Sequence, residues 1–173
     1  METGKLLSII AGIMTLVATY LFSWIAIPIG GPPTTFYSNG YGIIRNLPNM
    51  FTDAESIGSA LEIPGFAIYI IAGLLIVFLA SGVLQILGTK HRAFVAIGTL
   101  FSLGIALILL LSTIEVVDTA NWVYYILGSD EPIVENIIPL KILGLDAFDV
   151  GFYLLYAGGI IGIVATVYGP GAF

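Results

Sequence analysis

Residues 93–114 read AFVAIGTLFSLGIALILLLSTI, an apolar run with no charge anywhere in it. At 1.5 Å per residue, about 20 apolar residues cross the roughly 30 Å hydrocarbon core of a bilayer. The same test succeeds elsewhere. Charge is absent from Leu6 to Ile44, from Ile63 to Thr89 and from Val150 to Phe173. Only 9% of the 173 residues are charged, against about 25% in soluble domains, and 58% are hydrophobic. The chain therefore reads as an all-α membrane protein, a single domain forming a four-transmembrane-helix bundle. Its expected spans are 6–27, 65–87, 93–114 and 150–168. A helix satisfies its own backbone hydrogen bonds in lipid. The runs lack the period-2 alternation of a membrane β-barrel. The first run is an anchor helix rather than a cleaved signal: it is too long, and Trp24 stands where cleavage needs a small residue.

Upstream of the opening stretch lies GTKHRA, Gly88 to Ala93, with two of the five Lys and Arg residues and the single His. The N-terminal tail and the inner link 88–92 hold Lys5, Lys90 and Arg92 against Glu2. The two outer loops, 28–64 and 115–149, hold ten acids against Arg45 and Lys141. Short basic segments stay cytoplasmic, so both termini and the link are expected inside a cell membrane, with both long loops outside. Lys5, Lys90, His91 and Arg92 then read as a topological pin that also meets anionic lipid, at about 1 kcal/mol per basic residue.

Ionisable groups at membrane depth signal transport or proton relay, and the four spans carry none. Their polar atoms are hydroxyls (Thr15, Thr19, Ser23, Ser81, Ser102, Tyr153, Tyr156, Thr166), with Gln85 in the last turn of the second span. A pump built by this chain alone is not expected. Haem would need histidines inside the bundle, and the only His is in a loop. Cysteine chemistry is excluded by a cysteine count of zero. The outward acids Asp130, Glu131 and Glu135 lack the spacing of a calcium loop. No catalytic residue, cofactor, metal or nucleic-acid partner is expected.

The spans do offer small residues at four-residue spacing, which let helix backbones approach closely in lipid. Ser8 and Gly12 stand on the first helix, Gly98, Ser102 and Ala106 on the third, and Gly158 and Gly162 on the fourth. They read as packing positions within the bundle, with Gly158 and Gly162 the stripe best suited to dock another subunit.

Long loops are often functional. In the first, Pro and Gly favour turns or short strands, and 37–41 reads as a tight-turn β hairpin. A short helix is expected at 53–61, with Thr52 and Glu55 as a capping box. The third helix has no breaker until Gly128 and could extend to 127, making it about 50 Å long. The opposite reading bends 115–127 along the interface, with Trp122 and Tyr125 as belt aromatics. On a continuous helix Glu115, Asp118 and Trp122 share one face. With Tyr37, Tyr41, Arg45 and Tyr125 they form the candidate outer interaction surface.

Four spans, inward termini and a turn-rich first loop resemble the tetraspan layout of the claudin and peripheral myelin protein family. Trp24 followed by YGIIRN (Tyr41 to Asn46) stands where that family carries its W…GLW signature, without the second Trp and without the paired loop cysteines. The resemblance implies strands in the first loop and lateral or cell–cell contacts. The leading expectation is a non-catalytic structural or accessory subunit. It would act with lipids, other membrane proteins or copies of itself through an acidic, aromatic outer face. A channel or transporter component with a path between protomers is the alternative. A third is a quinone- or lipid-handling subunit using Tyr37, Tyr41 and Arg45.

Overall fold

A computed structural model of the chain describes residues 3–28, 35–113, 122–129 and 148–168. It is predominantly helical. The first helix, α1 (Thr3–Tyr20), stops well before the expected boundary at Ile27. Tertiary bonds end it. The indole Nε1 of Trp24 donates to Ala18 O at 2.8 Å, taking one of the carbonyls that a helix end leaves without a partner. The Trp24 backbone N–H donates to Ser38 O, also at 2.8 Å. The chain then continues as β1 (Ile25–Pro28), antiparallel to β2 (Thr35–Ser38), with Ile25 opposite Ser38 and Pro28 opposite Thr35. A short β3 (Gly128–Ser129) pairs with the other edge of β2, so the order is β1-β2-β3.

No hairpin turn forms at 37–41. Ser38 closes β2 and Asn39 caps a helix that the sequence reading missed, α2 (Gly40–Thr52). The Asn39 carboxamide oxygen accepts from Gly42 N–H at 2.8 Å, as a helix N-cap requires. α2 runs through Pro48. Next comes α3 (Ala54–Ala60), where a helix was expected at 53–61, though its capping differs. Asp53 occupies the cap position without a side-chain capping bond. The Thr52 hydroxyl donates to the carbonyl of Pro48 and the carboxylate of Asp53, so the Thr52–Glu55 box does not form.

The expected second span is interrupted at Ala80, giving α4 (Gly65–Leu79) and α5 (Ser81–Leu87). α6 (Arg92–Thr113) and α7 (Val150–Tyr168) follow the expected third and fourth runs. The possible extension of the third helix through 114–121 lies outside the described residues. Val123–Leu127 forms a π-helical turn that leads into β3. By length and composition α1, α6 and α7 can each cross a membrane; a fourth span is available if α3 and α4, bent by 100° to each other, count as one.

α1 packs along α7 and α5, and α6 along the same two helices. These faces are built from small and hydroxylated residues, while large apolar side chains point outward. Phe66, Leu100 and Val167 are each about two-thirds exposed (65%, 69% and 65%). Apolar exposure on this scale needs an apolar medium or a partner around it. At the sheet end, Trp24 is wholly buried, edge-on to Phe78 with ring centroids 5.6 Å apart.

Candidate functional site

Two features stand out: a buried polar seam where α1, α5, α6 and α7 meet, and an apolar groove beside α4.

The seam centres on Gln85, the only glutamine in the chain and completely buried. Its position on α5, one turn after Ser81, turns both side chains inward. The Ser8 hydroxyl of α1 donates to the Gln85 backbone carbonyl. The Gln85 amide nitrogen donates to Thr99 Oγ1 at 3.4 Å and to Ser102 Oγ at 3.3 Å, both on α6. Glycines admit these groups. A methyl on Gly162 would run into Thr99 Oγ1 and come 3.1 Å from the Gln85 amide nitrogen, and one on Gly158 would lie 2.9 Å from Thr15 Oγ1. A methyl on Gly12 would lie 2.5 Å from Gly82 O, and one on Gly98 would meet the backbone of Ser81 and Gln85. Three buried atoms of the seam have no hydrogen-bond partner among the described residues: Gln85 Oε1, Ser81 Oγ and Thr15 Oγ1.

At the sheet end the polar line finishes on a carboxylate. Asp149 is 2% exposed and accepts from the Ser23 hydroxyl and from Val150 N–H at 2.7 Å. Its own N–H donates to Trp24 O at 2.9 Å, and Gly151 N–H to Ser23 O at 3.1 Å. An acid at the start of α7 is also favoured by the helix dipole.

The groove lies between α4, α6 and the π turn. Its volume is 370 Å³, with Leu74, Phe78, Leu100, Ile105, Trp122 and Ile126 among its walls and Gly104 on its floor. Among the described residues no titratable side chain lines it. Most described helical glycines are filled by neighbours within the chain. Gly104 and Gly73 are different: no described residue lies within 4 Å of where their side chains would start.

The small residues named from sequence, Ser8, Gly12, Gly98, Ser102, Ala106, Gly158 and Gly162, are all buried in this structure. Gly158 and Gly162 are covered by α1, α5 and α6 of the same chain. That pair therefore leaves no free stripe for another subunit. Of the basic set, Lys5 and Arg92 are half-buried, while Lys90 and His91 are exposed, with the His91 ring edge-on to Phe94. Among the described residues no group of three His, Cys, Asp or Glu is placed to hold a metal.

The candidate outer surface is described only in part. Tyr37 lies in β2, Tyr41 is half-buried on α2 and Arg45 is exposed there. Trp122 and Tyr125 pack against the hydrophobic core. The expected shared face of Glu115, Asp118 and Trp122 falls mostly outside the described residues; within them, the π turn from Val123 to Leu127 replaces the expected α-helix around Tyr125. Glu115 and Asp118 lie outside the described residues, as do Asp130, Glu131 and Glu135. The sequence reading also missed the burial of Gln85, although a lone amide four residues after Ser81, with Gly82 and Gly88 beside it, was the available signal.

No family model, curated protein or solved structure matches the chain. The tetraspan resemblance therefore rests on sequence layout alone, and the functional reading must come from the residues just described.

Proposed function

We propose that this chain is a non-catalytic integral membrane protein, a structural or accessory subunit that works by lateral contact within the bilayer. Gly104 carries the reading. A glycine inside a helix costs up to about 1 kcal/mol relative to alanine, and the other groove-side positions are large and apolar. Gly104 meets nothing within 4 Å, so packing within the described chain gives no reason for it. A bare glycine at a membrane helix surface suits close approach by a second helix. The occupant we assign to the groove is an apolar transmembrane helix of another membrane protein, seating a large side chain over Gly104. In this reading the link at 88–91 and both termini face the cytoplasm, and the sheet faces outside.

A lipid- or quinone-handling role is the second reading, favoured by the wholly apolar character of the groove walls.

The test is gentle extraction from native membranes, then size exclusion and native mass spectrometry of the wild type and of Gly104→Leu. A distinct protein partner in fixed ratio with the wild type, reduced at least tenfold by Gly104→Leu while the protein stays folded, is expected. A lone protomer or homo-oligomer would sink the accessory reading. A bound lipid or quinone mass lost in Gly104→Leu would move the assignment to the second reading.

A further inference from the structure

We infer that the seam around Gln85 is a binding site for water inside the helical body, with Gln85, Ser81 and Thr15 as its ligands. The observation is the combination of complete burial and missing partners. Gln85, Ser81 and Thr15 are each 0% exposed. Yet Gln85 Oε1, Ser81 Oγ and Thr15 Oγ1 find no hydrogen bond among the described residues. Leaving a buried polar group unpaired costs about 1–3 kcal/mol, so three within about a helical turn of one another along one seam is a large penalty for a chain that could use alanine, valine and leucine there.

The groups are neighbours rather than scattered defects. Thr15 approaches α7 at Gly158 and Gln85 approaches it at Gly162, one helical turn apart. Ser81 stands one turn from Gln85 on α5. The bonds that Gln85 does make are long, 3.3 and 3.4 Å, and both are to hydroxyls that can act as donors or acceptors.

Chemistry narrows the occupant to water. The seam's side chains are amide and hydroxyl, all neutral, so a cation or anion would enter without a counter-charge at a severe desolvation penalty. The occupant must both donate, to Gln85 Oε1, and accept, from the hydroxyls. It must also be small, because glycine contacts such as Gly12 to Gly82 O and Gly98 to the α5 backbone pin the surrounding helices together. Buried waters in proteins typically make about three bonds to polar groups lacking other partners. The site is independent of the groove and stands whatever partner the groove holds.

Because the chain has a single glutamine, the test needs no variant. Protein carrying ¹⁵N only at the glutamine side chain, in deuterated detergent or nanodiscs, gives one NH₂ pair by NMR. Dipolar transfer from water to that pair is expected. The hydroxyls of Thr99 and Ser102 can relay water magnetisation only if water reaches them, so relay supports the same conclusion. Absence of any transfer would overturn the proposal. A second measurement compares thermal unfolding of the wild type and Thr15→Val, which keeps the shape and removes the hydroxyl. A water-bonded hydroxyl predicts a lower midpoint, by about 2–4 °C. A dry, unpaired one predicts an unchanged or higher midpoint, which would remove Thr15 from the site.

Discussion

Trp24 shows how much one side chain decides. Its indole takes a carbonyl of the last turn of α1, its backbone N–H reaches β2, and its carbonyl receives Asp149 N–H ahead of α7. Trp24→Phe removes the indole bond and, at a wholly buried site, also leaves a gap where the larger ring stood. It should destabilise the protein by about 1–3 kcal/mol, the penalty for a buried acceptor left unpaired, and thermal unfolding in detergent would register the loss. Glu62 offers the opposite sign. It is the one described non-glycine residue at positive φ, 58°, where side chains other than glycine carry a steric cost of about 1–2 kcal/mol. Its side chain is exposed, so Glu62→Gly should raise stability by about 0.5–1 kcal/mol after the extra backbone entropy of glycine, read by the same measurement. Neither role could be seen in the sequence. Trp24 looked like an aromatic at the end of a span, because its partners lie on strands and a helix that only folding brings near.

At the scale of elements, apolar runs located α6 and α7 well and α1 poorly. Phe22, Trp24, Ile25 and Ile27 extend the first run, but aromatic and β-branched residues suit a strand as readily as a helix, and periodicity cannot arbitrate over so short a piece. α2 was hidden by Gly40, Gly42 and Pro48, which read as breakers. Gly42 is required where it stands, since a methyl there would lie 2.6 Å from Leu127 O. The small-residue spacing identified helix faces, yet spacing alone cannot say what covers a face. Two identical substitutions separate these cases. Gly98→Ala forces a methyl against Ser81 O and within 3.0 Å of the Gln85 nitrogen, and should cost about 1–3 kcal/mol by overpacking. Gly73→Ala meets nothing and should be neutral or stabilising by up to about 1 kcal/mol. Thermal unfolding of both, side by side, checks the contrast.

At the scale of the molecule, bulky apolar residues cover much of the described outside, while glycine, serine, threonine and one glutamine stand where α1, α5, α6 and α7 meet, beside an apolar core at the sheet end. Composition alone made the apolar exterior legible. The polar seam was not, because a hydroxyl can bond its own helix, and nothing in a linear sequence says which hydroxyls do. Orientation is open to a clean test, since the chain has no cysteine. Single replacements His91→Cys, in the exposed link, and Ser59→Cys, exposed on α3, should be labelled by an impermeant maleimide from opposite sides. In whole cells the proposed topology expects Ser59→Cys to react directly and His91→Cys only after permeabilisation. The reverse pattern would invert it.

The pairing of α1 with α7 also has a consequence in time. Ribosomes deliver α1 first and α7 last of the described helices, so the helix with which α1 packs most extensively arrives only after the intervening chain has been synthesised. Until then Thr15 lacks the cover of Gly158, and Ser23 and Trp24 await Asp149. The half-made protein thus presents a hydroxylated, glycine-notched helix to the lipid or to the insertion machinery. Its completion is an event of late synthesis, when the final helix shuts the seam.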